Sequence, residues 1–301
     1  MRRVICIGTA VIDTVFAVER LPLAPGKNPS RSVKQVCGGL GANAAATVSA
    51  LGGNGVLWSR IGDDLAGDQI LRELVEWNVA STAVERMPGC RTVIATVLVD
   101  PGGERQLVYH LDERLVEGAA VPLDAIAGAD ALMADTWWPA AAVPALAAAR
   151  ERGIPSVLDV ELASYPVEMR LLELASHVVF AREGLAALAG TGEVGDGLRR
   201  MRGRTDAWLG VTCGGDGAYW LDGKELRHLP AFAVEVVDTL AAGDVFHGAL
   251  ALALAERRPI EAALRFAAAA AAIKCTRFGG RDGIPTRAEV LRLLAAPLTR
   301  A

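Results

Sequence analysis

Six short apolar runs, spaced by helix-length patterns, constrain this chain more than any other feature. Val4–Gly8, Gly55–Ile61, Ala131–Ala134, Ser156–Val160, His177–Phe180 and Ala207–Val211 each read as a strand. They are mostly apolar, so both faces must be covered. Helical patterns lie between them. Leu65–Trp77 carries an apolar face at Leu65, Ile70, Leu71, Leu74 and Trp77, and Ala140–Arg152, Val167–Ala175 and Gly184–Ala189 also read as helices. Alternation of this kind predicts an α/β fold with a mostly parallel sheet between two helical layers. The last third is helical over Asp244–Glu256, Ile260–Lys274 and Arg287–Ala295. The alanine-rich second of these predicts a closely packed internal helix. A chain of 301 residues suits one such domain, 1–301.

Two regions break the alternation. Val11–Cys37 has extended segments around Pro22, Pro25 and Pro29, and in Arg91–His110 the runs TVIATVLVD and RQLVYH flank a PGGE turn. The second reads as a hairpin. Together, at about residues 11–37 and 91–110, they are expected to form a small β-sheet projecting from the main domain. Such a flap could cover a site, pair with another subunit, or be an ordinary edge hairpin.

The net charge of −4, from 31 basic and 35 acidic residues, offers no basic excess for nucleic acid. Five cysteines (Cys6, Cys37, Cys90, Cys213, Cys275) form no CxxC, and the four histidines no HExxH, so neither disulfides nor structural zinc are expected. The first apolar run ends at Asp13 and lacks a signal-peptide body, and Thr136–Ala149 is too short to span a bilayer. A cytoplasmic setting without membrane contact is the simplest expectation.

The most informative stretch is VVDTLAAGDVFHGALALALAE, Val236–Glu256. A β-like run ends at Asp238. Ala241, Ala242 and Gly243 follow, and a helix starts at Asp244. Small residues let backbone N–H groups face a ligand, and the helix dipole adds to their field, so the loop suits an anion such as a transferring phosphoryl group. By spacing alone Asp244 could be a helix cap or a base for an attacking hydroxyl.

DTLAAGD (Asp238–Asp244) resembles the DTxGAGD signature of PfkB-type, ribokinase-like carbohydrate kinases. The resemblance implies a three-layer α/β/α fold with a small β-sheet lid. It makes Asp244 the catalytic base and the amides of Ala241, Ala242 and Gly243 the anion hole. Ala241 stands where glycine is usual. CGGLGANAAATVSALGG (Cys37–Gly53) resembles the second signature of that family, GGxxxN followed by a small-residue helix. Alone, its GLGANA also fits a GxGxxA dinucleotide fingerprint. The resemblance implies sugar contacts from Gly38, Gly39, Gly41 and Asn43, although Asn43 could also be a helix cap. It implies a further contact from Asp13, in GTAVID, with Lys27 and Asp238 as additional substrate-binding candidates.

VTCGGDGAYW (Val211–Trp220) resembles the nucleotide segment of the family, which places Thr212, Gly214 and Gly217 near ATP; a tight hairpin turn is the alternative. TRFGGRDGIP (Thr276–Pro285) resembles the loop that closes over adenine, bringing in Gly280 and often a monovalent cation such as K+. Magnesium accompanies ATP. The NxxE motif tied to it is missing, as it is in the ketohexokinase-like branches that the chain also resembles, which leaves Glu183 in FAREGLAALAG as its candidate ligand. The C-terminal run and Lys27 look closest to the sulfofructose kinase branch, whereas ADTWWP (Ala134–Pro139) and Tyr109 differ. The expected activity is ATP-dependent phosphorylation of a primary hydroxyl on a small sugar, a ketohexose or sulfofructose-like molecule. A nucleoside kinase, a dinucleotide-dependent oxidoreductase and a non-catalytic relative are the alternatives, and a homodimer through the lid is expected.

Overall fold

A computed structural model describes residues 1–161 and 166–295. Strand β1 (Arg3–Ile7) lies inside the main sheet, third from one edge, and its side chains divide between the two sides. Val4 and Cys6 enter one apolar core, and Ile5 and Ile7 enter the other. β1 pairs in parallel with β4 (Asn54–Gly62) on one side and β8 (Ala131–Ala134) on the other. Parallel pairing continues from β4 to β5 (Ala80–Met87), and from β8 through β9 (Ser156–Val160) and β10 (His177–Ala181) to β11 (Trp208–Thr212). The far edge is antiparallel, with β12 (Ala218–Asp222) and β13 (Glu225–Leu229). The sheet order is β13-β12-β11-β10-β9-β8-β1-β4-β5.

One face is covered by α1 (Leu40–Ala50), α2 (Leu65–Glu76), α7 (Ala242–Ala255), α8 (Ile260–Cys275) and α9 (Arg287–Ala295). The other carries α3 (Pro139–Glu151), α4 (Met169–Leu174), α5 (Arg182–Ala189) and α6 (Val194–Arg202). Small residues let α1 and α7 cross closely. A Cβ added at Gly248 would lie 2.6 Å from Ala44 O. Four of the five cysteines are buried free thiols.

The two regions that broke the alternation do form one separate sheet. β2 (Val11–Ala17) pairs antiparallel with β3 (Ser32–Gly38) and parallel with β6 (Val93–Val99), which pairs antiparallel with β7 (Arg105–His110). The turn Ile61–Gly67 (IGDDLAG) ties it to the main sheet: Asp64 caps α2 through Gly67 N (2.9 Å) and accepts from Thr92 N (2.9 Å) and Thr92 Oγ1 (2.6 Å). The inner face of the lid buries Val15, Val36, Val97 and Val99 against Leu240.

The sequence reading needs two corrections here. No strand leads directly into the DTLAAGD loop; residues 230–239 are irregular, with a bend at Val237, and the Val237 and Asp238 amides donate to Cys275 O. The helix also starts two residues earlier than expected, at Ala242.

Candidate active site

The early start of α7 removes the cap reading of Asp244. The N-cap residue is Ala241, in the left-handed region at φ 65°, and no side chain caps the helix. Asp244 lies in the first turn, and its carboxylate points across to α1, where Asn43 Nδ2 donates to Oδ2 at 2.7 Å. Asn43 is likewise no cap, because Gly39 holds that place with φ 92°. The other end of its amide, Oδ1, accepts from Arg281 Nε at 3.0 Å. Asn43 is thus a polar bridge between two ends of the chain, with Asp244 201 positions away and Arg281 238.

Asp13 comes in from β2 of the lid. Gly38 makes room for it, since a Cβ there would fall 1.8 Å from Asp13 Oδ2. Burial, then the charge of Asp244, push the Asp13 carboxyl up to about 7 against the pull of Arg281. Asp244 is raised as well, chiefly by burial, with Asn43, Arg105 and Arg281 opposing. Further acids surround it. Asp135, at the end of β8, accepts from Thr9 N (2.8 Å) and Trp137 N (3.0 Å), yet burial lifts it to about 6. Glu161, after β9, accepts from Trp137 Nε1 (3.2 Å) and is raised to about 7 by burial and Asp244. Asp135 and Glu161 lie just beyond the carboxyl ends of β8 and β9, where open α/β sheets bind ligands.

Four residues in this region escaped the sequence reading. Arg281 is buried, donates to Gly38 O (3.3 Å), and is the counter-charge inside the acidic cluster. Arg105 reaches down from the lid to Thr239 O (3.3 Å), on the DTLAAGD loop. His247, one turn after Asp244, is buried and pushed down to about 4 by burial; its Nδ1 faces Gly243 O (2.7 Å) and Asp159 Oδ2 (3.1 Å), so it carries a hydrogen there and braces the loop. Lys274 lies buried beneath the same loop. Arg281 stood inside the TRFGGRDGIP motif, and His247 three residues after DTLAAGD.

Several expected site residues are placed elsewhere. Asp238 is fully buried: its carboxylate accepts from Leu240 N (2.8 Å), Gly279 N (3.0 Å) and Gly280 N (3.4 Å) and faces Lys274. A carboxylate so engaged braces two loops and is not open to a sugar. Gly280 spends its amide on that brace and not on a nucleotide. Lys27 sits exposed in the loop between β2 and β3, apart from the Asp13–Asn43–Asp244 cluster. The Ala242 N–H turns back to Thr239 O (3.2 Å), leaving Ala241 and Gly243 as the anion-hole candidates. Gly39 and Gly41 pack against the Gly8–Ala10 backbone, which seats α1 beside β1.

On the nucleotide side, Thr212 ends β11, and Gly214 and Gly217 form the turn into β12. Gly217 answers to packing, because a Cβ would lie 2.1 Å from Leu229 O, whereas Gly214 faces open space. Glu183 is exposed in the first turn of α5, just past β10 at the same sheet edge. Mg2+ takes one or two carboxylates together with phosphate oxygens and water, a set that Glu183 and a triphosphate would complete. A monovalent cation under the closing loop does not fit. The buried acceptors there, Asp238 O and its carboxylate, already hold the Lys274 ammonium. The GLGANA helix follows an antiparallel lid strand, which removes the Rossmann reading.

Comparison with known proteins agrees with this architecture. Residues 1–287 match the model of the pfkB family of carbohydrate kinases. The chain is 30% identical over 298 residues to a ribokinase of Bacillus subtilis strain 168, covering 98% of this chain and 100% of that one. It is 28% identical over 318 residues to Fructokinase-1 of Oryza sativa subsp. japonica, covering 97% of each. A solved structure from Agrobacterium tumefaciens superposes with a TM-score of 0.94 at 38% identity, covering 100% of this chain and 99% of that one. Arabidopsis thaliana ribokinase, complexed with ribose and ATP, shares the fold at TM-score 0.83 and 24% identity, over 98% of this chain and 99% of that one. The fold and these matches define an ATP-dependent phosphotransferase with an alcohol group as acceptor. The chain belongs to the pfkB family of carbohydrate kinases.

Proposed function

We propose that this enzyme transfers the γ-phosphoryl group of ATP to a primary hydroxyl of a small neutral sugar of the pentose or ketohexose class, with Asp244 as the base. The observation that carries this reading is the convergence of Asp13, Asn43 and Asp244 beneath the lid, with Asn43 Nδ2 2.7 Å from Asp244 Oδ2. Carboxylates and an amide suit several hydroxyls at once. Names among the relatives point to both a pentose and a ketohexose. A sulfonated sugar suits the pocket less well, because its acids (Asp13, Asp135, Asp159, Glu161, Asp244) outnumber the guanidiniums of Arg105 and Arg281.

In the proposed reaction Asp244 accepts the hydroxyl proton as the sugar oxygen bonds to the γ-phosphorus, and the bond to the β-phosphate oxygen breaks to release ADP. The Ala241 and Gly243 amides and the dipole of α7 offset the charge on the moving group. Thr212 and the Gly214 turn line the ATP side. Glu183 would share Mg2+ with the phosphates, and that ion neutralises the triphosphate. Arg105 reaches the loop from the lid, and Tyr109 of the lid pairs edge-to-face with Trp137 of the main domain (ring centroids 5.1 Å apart), contacts on which a lid that closes over substrate would exclude water.

ADP release with magnesium-ATP across ribose, fructose, sulfofructose and nucleosides, with Asp244→Asn alongside, tests the reading. Turnover on a neutral sugar that is lost in the variant supports it, whereas turnover on nucleosides alone replaces it with a nucleoside kinase. The outer face of the lid exposes Val33, Ile94 and Val108, which supports a homodimer formed there. Monomer mass in sedimentation at micromolar concentration would count against that assembly.

A further inference from the structure

Lys274 is a cation placed where water cannot reach it. It is the penultimate residue of α8, and its side chain is 0% exposed. Its Nζ donates to Asp238 O at 2.7 Å and lies 3.4 Å from Asp238 Oδ2. The same carboxylate accepts the Gly279 and Gly280 amides, and Cys275 O accepts the Val237 and Asp238 amides at 2.8 Å and 3.1 Å. Gly283 packs on the lysine stem, since a Cβ there would stand 3.2 Å from Lys274 Cε. One ammonium therefore fastens the closing loop, residues 276–285, beneath the start of the DTLAAGD loop.

Burying a lysine is costly unless its charge is answered. An apolar side chain would fill the same space at the end of an alanine-rich helix, so packing alone gives no reason for an ammonium. Its position gives one. It holds positive charge below a loop whose amides are to receive a phosphoryl group, and it fixes the carbonyl and carboxylate from which that loop departs. A monovalent cation bound under this loop would use those oxygens and supply that charge, and an ammonium resembles K+ in both charge and size.

Resting on the reading of Ala241 and Gly243 as the anion hole, we propose that Lys274 is a positioning residue that replaces a bound monovalent cation. The enzyme therefore works without K+. The test compares potassium, sodium, ammonium and tetramethylammonium chlorides at equal ionic strength, reading both Tm and ADP release. The wild type is expected to change less than twofold in turnover, with no cation-specific shift in Tm. Lys274→Ala opens the space. In tetramethylammonium it is expected to lose at least tenfold in turnover and to melt lower, and K+ or ammonium should restore both. A wild type activated several-fold or stabilised by K+ overturns the proposal, and this holds even if the variant fails to fold. A folded variant equally impaired in every cation overturns it too. The Tm arm needs no sugar, so it separates failure of this proposal from failure of the kinase reading, which Asp244→Asn decides.

Discussion

Asp244 and Ala241 sit three positions apart and test different things. Asp244→Asn retains the shape and the contact with Asn43 but cannot take a proton. Turnover should fall by about 10²–10⁴, the usual worth of a general base, while ATP binding measured by calorimetry is retained. Ala241 pays for its methyl group with a left-handed backbone at φ 65°. An L-residue in that region costs about 1–2 kcal/mol, so Ala241→Gly should raise stability by about 1 kcal/mol in urea unfolding and leave turnover within about twofold. Asp13, Asn43 and Asp244 were named as candidates because each stands in a stretch that resembles a family signature, and the fold brings the three near one another. Lys274 and His247 were not: each lies in a helix whose pattern says nothing of what crosses it. Asp238 and Gly280 were misread because a motif fixes backbone position and leaves open whether a side chain or amide is already taken.

At the scale of elements, the crossing of α1 and α7 carries the site, and Gly248 is its tightest point. Gly248→Ala sets two effects against each other. Alanine in a helix interior gains about 1 kcal/mol over glycine. Against that, a Cβ 2.6 Å from Ala44 O forces the helices apart, and overpacking costs about 1–3 kcal/mol. The clash is with backbone, so the net change should be destabilising. Because the displaced turn holds Asn43, kcat should fall more than KM rises; unchanged kinetics would show that the crossing does not set the Asn43–Asp244 contact. The parallel sheet and its two layers were readable from apolar runs, and the lid from the PGGE turn. Lid placement over the site depends on Asp64 and Thr92, a contact between residues 28 apart that periodicity does not report.

Over the whole molecule, stability and activity should answer oppositely to pH. Asp13 titrates near 7 when folded, above the usual carboxylate range. Between about pH 4 and 7 the folded chain keeps a proton that the unfolded chain has released, so this stabilising contribution is lost as pH rises through that interval. His177 and His247, both pushed down to about 4, act the other way up to their ordinary value near 6.5 and flatten the total curve. Comparison isolates the carboxylate: the stability gap between Asp13→Asn and wild type should widen from pH 4 to 7 and then stay level. A constant gap would rule out the raised Asp13. Activity should climb as pH rises past the ordinary carboxylate range, because Asp244, raised by burial, must be ionised to accept a proton. Asn43 has a further consequence for a chain made from one end. At about 5–20 residues per second, Arg281 follows Asn43 out of the ribosome by on the order of ten to fifty seconds. Until then the Asn43 amide can reach at most Asp244, so the bridge that joins the first helix to the closing loop is among the last contacts the emerging chain can make.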